Sequence, residues 1–221
     1  IENTRADDRP NMIFVMSDDQ GWGDVAYNGH PILKTPHLDS MAESGLRFDR
    51  FYAGASVCSP TRASCLTGRN NWRMDINGPL AADEGHLPAN EITLAEFLTE
   101  HGYATGHFGK WHIGSVQKES PTSPGGPGFD EWLSGLNFFD NDPYLSRNGE
   151  YGQFKGLGSV IAMDATIEFL RKHAKGDEPI FAVTWFPSPH DPQSELPQGL
   201  PNAATLYNDK DTKKPGYFRE I

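Results

Sequence analysis

Short apolar runs alternate with amphipathic stretches along this chain and predict alternating strands and helices. Residues 11–17 (NMIFVMS) are almost continuously apolar and lead into Asp18-Asp19, which predicts a buried strand followed by a loop. Residues 179–186 (PIFAVTWF) predict a second buried strand, and residues 103–109 a third. This alternation indicates an α/β fold with a mostly parallel central sheet flanked by helices.

Helix signals fall between these apolar runs. The predicted helices cover residues 35–44, 59–67, 93–101 and 160–170. The first begins at Thr35-Pro36 and ends at Gly45, and the third begins with a capping box formed by Thr93 and Glu96. Residues 46–52 (LRFDRFY) alternate between apolar and polar side chains, which predicts a further strand.

Composition narrows the classes of function. Of the 221 residues, 37% are hydrophobic and 22% are charged, as in ordinary globular proteins. The net charge of −11 argues against nucleic-acid or anionic-membrane partners, so an anionic substrate would need local positive charge at its site. No apolar stretch has the length of a transmembrane helix.

Both ends of the sequence suggest a longer parent protein. The start, Ile1-Glu2-Asn3, has neither an initiator methionine nor a hydrophobic signal core, and we expect it to be processed or trimmed. Residues 217–220 begin a helical pattern just before the last residue, so we expect residues 1–221 to be a fragment of a larger domain.

Three polar clusters follow predicted strands. They are Asp18-Asp19, Lys110 with His112, and His190. Because ligands of open α/β sheets bind beyond the carboxyl ends of the strands, we expect these clusters to converge there. Lys110 and His112, two residues apart at a strand end, should face the same side.

The Asp18-Asp19 pair offers hard carboxylate oxygens on a glycine-rich turn, the ligand type that suits calcium or magnesium rather than zinc. A solvated turn or a helix cap is the alternative for an isolated pair of this kind.

The two cysteines, Cys58 and Cys65, lie seven residues apart in a turn and helix, where both side chains point along one helical face. This spacing disfavours a disulfide, and we expect Cys65 to pack against the sheet. Cys58 begins the helix, where free amide groups and the helix dipole favour an anion. By itself Cys58 could be a small buried apolar residue or a thiolate nucleophile.

Residues 58–69 (CSPTRASCLTGR) resemble the signature of the sulfatase family, in which a proline two residues and an arginine four residues after the cysteine direct its oxidation to formylglycine. Residues 102–112 (GYATGHFGKWH) resemble the second signature of that family, with Phe108 in place of a smaller residue. Residues 35–39, 45–48 and 187–192 are similar to further landmarks. The resemblance runs from Asn11 to about Pro192.

The resemblance implies that residues 1–221 are the N-terminal part of a sulfatase catalytic domain of the alkaline-phosphatase-like superfamily. It implies catalytic roles for Cys58, Arg62, Lys110, His112 and His190, and metal ligation by Asp18, Asp19 and the Cys58 position. The cofactors would be Ca²⁺, with Mg²⁺ as the alternative, and formylglycine derived from Cys58. In such enzymes a hydroxyl of the hydrated aldehyde attacks sulfur and displaces the alcohol, and the second hydroxyl then allows sulfate to leave.

The same resemblance implies roles for the other site residues. Arg62 and Lys110 would neutralise the sulfate oxygens, His112 would take the proton of the diol, and His190 would donate to the leaving oxygen. It also implies a formylglycine-generating or anaerobic sulfatase-maturating enzyme as a partner, a periplasmic or secreted location, and a sulfated carbohydrate or polysaccharide as the substrate.

Two other functions remain open at this point. A phosphonate or phosphate-ester hydrolase of the same superfamily could use an identical cluster for a phosphoryl group. A non-catalytic sugar-binding relative is disfavoured, because both Cys58 and Arg62 are present.

The calcium site of the family is completed by an Asp-Asn pair followed by glycine, and the family supplies a further lysine. Asp140-Asn141 precedes Asp142-Pro143 instead of glycine, so we predict that it is not a metal ligand. We therefore expect residues 1–221 alone to bind calcium weakly and to expose an unpaired sheet edge.

Overall fold

A computed structural model describes residues 9–81, 85–138 and 141–190. These residues form one six-stranded sheet in the order β1-β6-β2-β3-β4-β5. The strands are β1 (Met12–Met16), β2 (Ala104–Lys110), β3 (Glu131–Gly135), β4 (Tyr144–Arg147), β5 (Glu150–Gln153) and β6 (Ile180–Trp185). β1, β6, β2 and β3 are parallel to one another, whereas β4 and β5 add an antiparallel hairpin at the other edge. The predicted mostly parallel sheet is confirmed, and the hairpin makes it a mixed sheet.

Four α-helices lie along the described chain. They are α1 (Pro36–Ser44), α2 (Cys58–Thr67), α3 (Leu94–Glu100) and α4 (Gly158–His173). α3 begins with the predicted capping box, because Thr93 accepts from the backbone of Glu96 while the Glu96 side chain accepts from the backbone of Thr93. All four predicted helices are therefore confirmed. None of the helices described is long and apolar enough to cross a membrane.

The sheet separates two apolar clusters, one on each face. α4 packs on one face through Ala165 and Phe169, and α2 and α3 cover the other through Leu66 and Leu98. Side chains alternate along β6, so residues 181, 183 and 185 enter one cluster while residues 180 and 182 enter the other. Both faces of β6 are buried, as its apolar sequence predicts.

β1 is a strand as predicted, but it is not the buried strand that its apolar sequence suggests. It lies at the edge of the sheet, and Ile13 and Val15 are 48% and 55% exposed. Its other side chains, among them Phe14, pack against the α2 and α3 side of the core. The described residues thus leave one face and one edge of β1 uncovered.

The strand predicted over residues 46–52 is wrong. No strand is assigned there, and Leu46, Phe48, Phe51 and Tyr52 are between 66% and 81% exposed. Apolar alternation alone does not make a strand, because an extended segment also needs a neighbour to hydrogen-bond, and the described residues supply none here.

Gly109 allows a close approach between β2 and β6. Its φ of +106° lies in the region that favours glycine, and a Cβ there would overlap the carbonyl oxygen of Trp185 in β6. Lys110 follows directly, so this contact fixes the end of β2 against β6.

We expect Gly109→Ala to lower the free energy of unfolding by about 3 kcal/mol or more. The substitution strains the backbone at a positive φ, and the new methyl group also overlaps the Trp185 carbonyl, so β6 must move away. Gly68→Ala is the matched control, since Gly68 also has a positive φ but open space around its Cβ position. The control should lose only about 1–2 kcal/mol. Equal losses in urea unfolding of the two variants would contradict this account.

Candidate functional site

A cavity of about 370 Å³ lies where the carboxyl end of β1 meets the beginning of α2. Its walls are formed by residues 16–20, 53, 55–58, 61 and 62. Asp18, Asp19, Cys58 and Arg62 therefore share one cavity.

Cys58 is the first residue of α2 and is half-buried. Val57, which precedes it, provides no side-chain cap, so amide groups of the first turn keep their capacity to bind an anion. Thr61 fixes the wall above this helix end, because its hydroxyl donates to the Ala55 carbonyl and accepts from the Ala55 amide.

Three charged side chains meet beside Cys58 in the interior of the protein. Lys110 Nζ lies 2.5 Å from Asp18 Oδ2, and Arg62 Nη2 lies 3.5 Å from the same oxygen. Arg62 Nη1 also donates to the Lys110 carbonyl at 2.8 Å. All three side chains are at most 3% exposed, so one carboxylate is shared by two buried cations.

Electrostatic interactions couple these side chains to one another and to Cys58. Burial lowers the pKa of both Arg62 and Lys110, and the Asp18 carboxylate partly opposes that effect. Cys58 is close enough for negative charge at its sulfur to raise the pKa of both cations. A second anion next to Cys58 would therefore be stabilised by the same two groups.

His112 is held by the backbone of a neighbouring loop. Its Nε2 lies 3.0 Å from the Leu80 carbonyl oxygen, and the Leu80 amide donates to the Ser59 hydroxyl at 3.0 Å. Ser59 follows Cys58 in α2, so Leu80 connects His112 to the first turn of that helix through two hydrogen bonds. His112 has a left-handed φ of +52° and lies beyond the end of β2, so strand alternation does not explain its position near Lys110.

The hydrogen bond to Leu80 also selects a tautomer. A carbonyl only accepts, so Nε2 carries the proton and Nδ1 keeps its lone pair. Nδ1 is buried and has no hydrogen-bond partner among the described atoms. Burial, and then the charge of Lys110, lower the pKa of His112 to about 4, so the ring is neutral near pH 7.

His190 lies on the other side of the acidic pair. Its Nε2 is 3.4 Å from Asp19 Oδ2, a separation for an ion pair rather than a strong hydrogen bond. The loop that carries His190 is tied to β1, because the Asp18 amide donates to the Ser188 carbonyl at 3.0 Å. The structure thus brings His190 to the acidic pair, while His112 lies on the Lys110 side.

Several predictions concern residues at the margin of this site. Both cysteines are free, and Cys65 packs against the core on the α2 side of the sheet, as predicted. Asn141 is exposed and does not line the cavity. Asp140, residues 191–192 and the helix start at residues 217–220 lie outside the described residues, so those predictions remain untested.

The donor set fits a hard divalent cation in chemistry but not in number. Asp18 and Asp19 line the cavity with carboxylate oxygens, the ligands that calcium and magnesium prefer. Within the described ranges no three His, Cys, Asp or Glu side chains are grouped closely enough to hold a metal ion. These residues could therefore form part of a calcium site, with further oxygens coming from water or other groups.

Sequence patterns did not reveal the contacts that hold the site residues in place. Ser59, Leu80 and Trp185 have no residue type or spacing that points to chemistry. His107, which is fully buried, has no such signal either. Only the packing of α2 against β2 and β6 brings these residues together.

The chain is similar to known proteins. The family described as Sulfatase matches residues 10–217. Arylsulfatase G of Canis lupus familiaris is 46% identical over 126 residues, covering 57% of this chain and 23% of that protein. The ulvan-active sulfatase of Formosa agariphila is 31% identical over 208 residues, covering 90% of this chain and 39% of that protein.

A solved structure shares the fold. The structure of BT4656 in complex with its substrate D-glucosamine-2-N,6-O-disulfate has a TM-score of 0.73 and 26% identity, covering 91% of this chain and 38% of that one. The chain spans less than half the length of each of these three proteins.

The lowered pKa of His112 predicts a pH dependence of stability. In the unfolded chain the imidazole binds a proton as the pH falls below about 6.5, whereas the folded protein binds it only near pH 4. The contribution of His112 to the free energy of unfolding should thus be full above pH 6.5 and fall by about 3 kcal/mol toward pH 4. Urea unfolding of the protein and of His112→Gln across this range measures it. A stability difference between the two that stays constant from pH 7 to pH 4 would contradict the prediction.

Proposed function

Because this chain belongs to the sulfatase family, we propose that it carries the nucleophile position and the anion-binding cations of a sulfuric ester hydrolase. One observation supports this most directly, the buried Arg62 and Lys110 that share the Asp18 carboxylate beside Cys58. Two buried cations next to the beginning of α2 favour an anionic group at that point.

The chain as a whole is strongly acidic, with a net charge of −11. Long-range electrostatics therefore disfavour an anionic substrate, and its binding depends on the local cations. Arg62 and Lys110 are buried, where charge interactions are screened less than at the surface. They would neutralise the charge that develops on the sulfate oxygens in the transition state.

The Cys58 position would supply the nucleophile after oxidation to formylglycine. Hydrated, that group would supply one hydroxyl for attack on sulfur, with departure of the substrate's alcohol, and a second whose deprotonation would expel sulfate and restore the aldehyde. The role of this chain is to hold that position at the cavity wall, with the Thr61 contact to Ala55 fixing the loop above it.

His112 would accept a proton at Nδ1. Its Nε2 donates to the Leu80 carbonyl, so the free lone pair is on Nδ1, which has no partner among the described atoms. A neutral imidazole with a fixed tautomer presents this lone pair to a nearby hydroxyl as a hydrogen-bond acceptor, which orients the proton that is to be removed. His190 would donate a hydrogen bond to the leaving oxygen, and its Nε2 lies 3.4 Å from Asp19 Oδ2 beside the same acidic pair.

Asp18 and Asp19 would hold part of a calcium site, with magnesium as the alternative, beside the Cys58 position. Bound there, the cation would supply Lewis-acid stabilisation of negative charge on oxygen. Asp18 would then have a second role, because it also orients Lys110 and Arg62.

A sulfated carbohydrate is the substrate class that we propose. BT4656 binds a sulfated glucosamine as its substrate, and it shares the fold of this chain. A second cavity of about 270 Å³ adjoins the first at Gln20, and it combines aromatic and polar lining residues. The lining includes Trp22, Tyr27, Asn28, Arg47, Asp49 and Phe51. Aromatic faces with a few convergent polar groups suit a sugar ring.

A phosphonate or phosphate-ester hydrolase is the alternative, because the same cations could hold a phosphoryl group. The full-length protein should be assayed with 4-nitrophenyl sulfate, 4-nitrophenyl phosphate and a panel of defined sulfated saccharides. Sulfate release with at least a tenfold higher kcat/KM than phosphate release supports the proposal. The reverse ratio would assign the protein to the alternative.

We predict that Cys58, and not Cys65, becomes formylglycine when the protein is produced together with a formylglycine-generating or anaerobic sulfatase-maturating enzyme. Only Cys58 has Pro60 and Arg62 at the required spacing, and burial raises the pKa of the Cys65 thiol. Peptide mass spectrometry after export to the periplasm or the medium reads out both positions. An aldehyde at Cys65 with unmodified Cys58 would refute the assignment.

We expect Arg62→Met to lower kcat/KM by about 100- to 1000-fold, because it removes a fixed cation from the transition state. Methionine is preferred to alanine here, since Arg62 is almost fully buried and alanine would also leave a cavity. Arg73→Met, at an exposed arginine in the 3₁₀ helix Asn71–Met74, is the control and should keep the activity. If Arg62→Met keeps most of the kcat, the proposed binding of the sulfate oxygens by Arg62 is wrong.

A further inference from the structure

Arg62 is held from three sides. Its Nη1 donates to the Lys110 carbonyl, and its Nη2 pairs with Asp18. Its Cζ lies 5.0 Å from the centre of the Trp185 ring, within the range of a cation–π contact. Its Nε is buried and has no hydrogen-bond partner among the described atoms. The indole is therefore the contact that covers the face of the guanidinium.

Trp185 is itself fixed. It is the last residue of β6, is fully buried, and its backbone carbonyl lies against Gly109 of β2. The ring of His107 meets the indole edge to face at 5.0 Å, and the ring of Trp111 stacks at 6.1 Å. The indole consequently has little freedom to turn away from Arg62.

His107 keeps this packing free of a competing charge. Its Nδ1 lies 2.7 Å from the Ser134 hydroxyl, which in turn donates to the His107 carbonyl, so Nδ1 carries the ring proton. Burial, and then the nearby charge of Arg62, keep the pKa of His107 well below its ordinary value. A neutral ring beside Trp185 leaves Arg62 as the cation on the indole.

Packing alone does not explain the choice of tryptophan. The Trp185 Nε1 is buried with no hydrogen-bond partner among the described atoms, which an apolar residue of similar size would avoid. Tryptophan offers the aromatic face that attracts a cation most strongly. Trp132 also has an Nε1 with no partner among the described atoms, so it is the position of the Trp185 face against the Arg62 guanidinium that points to this contact.

We propose that Trp185 is a positioning residue, which fixes the plane of the Arg62 guanidinium so that its donors face the anion at the Cys58 position. The role rests on the proposed function, in which Arg62 binds the sulfate oxygens. A guanidinium that can rotate would still attract the anion, but it would lose the alignment that the transition state requires.

The test is a double-mutant cycle in the full-length, formylglycine-containing enzyme with 4-nitrophenyl sulfate. Trp185→Leu should lower kcat/KM by about 10- to 30-fold, with most of the loss in kcat rather than in KM. In an Arg62→Lys background the same substitution should change kcat/KM by less than about twofold, because the aligned fork is already lost.

Trp132→Leu is the matched control. Trp132 lies in β3, two strands from β6, and it too is a buried tryptophan whose Nε1 has no partner among the described atoms. This variant should lose stability but keep the kcat of the folded enzyme, and its effect should not depend on Arg62. If Trp185→Leu does not fold, Trp185→Phe serves instead, with an expected loss of about threefold, since phenylalanine binds cations more weakly.

The outcomes separate the two proposals. An unmutated enzyme that releases no sulfate overturns the proposed function before any variant is compared. Additive effects of Trp185→Leu and Arg62→Lys in an active enzyme overturn the positioning role alone. A loss in kcat/KM for Trp132→Leu that equals that of Trp185→Leu would also overturn it, because general loosening of the core would then suffice.

Discussion

The Asp18 carboxylate is the interaction on which the rest of this site depends. Two buried cations on different elements, Lys110 at the end of β2 and Arg62 in α2, both point to its Oδ2. Without a shared counterion, two positive charges in the interior would repel each other and lose hydration without compensation. The ion cluster therefore joins β1, β2 and α2 at one point, and that point is the wall of the cavity.

The sharing of one carboxylate has a functional consequence. Because both cations are held at one oxygen, both lie close enough to Cys58 for negative charge there to raise their pKa. The same geometry places the beginning of α2 and the Cys58 position beside these two cations. Stability of the core and affinity for an anionic group thus have a common origin, and substitutions at this cluster should affect both.

The layers beneath the cluster determine how firmly it is held. Gly109 lets β2 approach β6, and this approach sets the position of Trp185 beside Arg62. On the other side, the Leu80 carbonyl contacts His112, and the Leu80 amide donates to the Ser59 hydroxyl. Gly109, Trp185, Leu80 and Ser59 have no proposed chemical role. Their contacts limit the motion of Arg62 and His112, which do have one.

The amino-acid sequence by itself predicted the four helices, the strands β1, β2 and β6 and, through the family resemblance, the candidate site residues, whereas β3, β4 and β5 were not predicted. Apolar periodicity, the capping box at Thr93 and the spacing of Cys58, Pro60 and Arg62 are local properties of the chain, so they can be read without knowing the fold. Tertiary structure alone decided which elements are covered and how the side chains pair. Residues 46–52 alternate like a strand but have no assigned strand, and β1 is apolar yet lies at an edge, because pairing and burial depend on neighbours distant in sequence. The sharing of Asp18, the tautomer of His112 and the contact of Trp185 with Arg62 have the same cause, since each is set by atoms that only the packed sheet brings together.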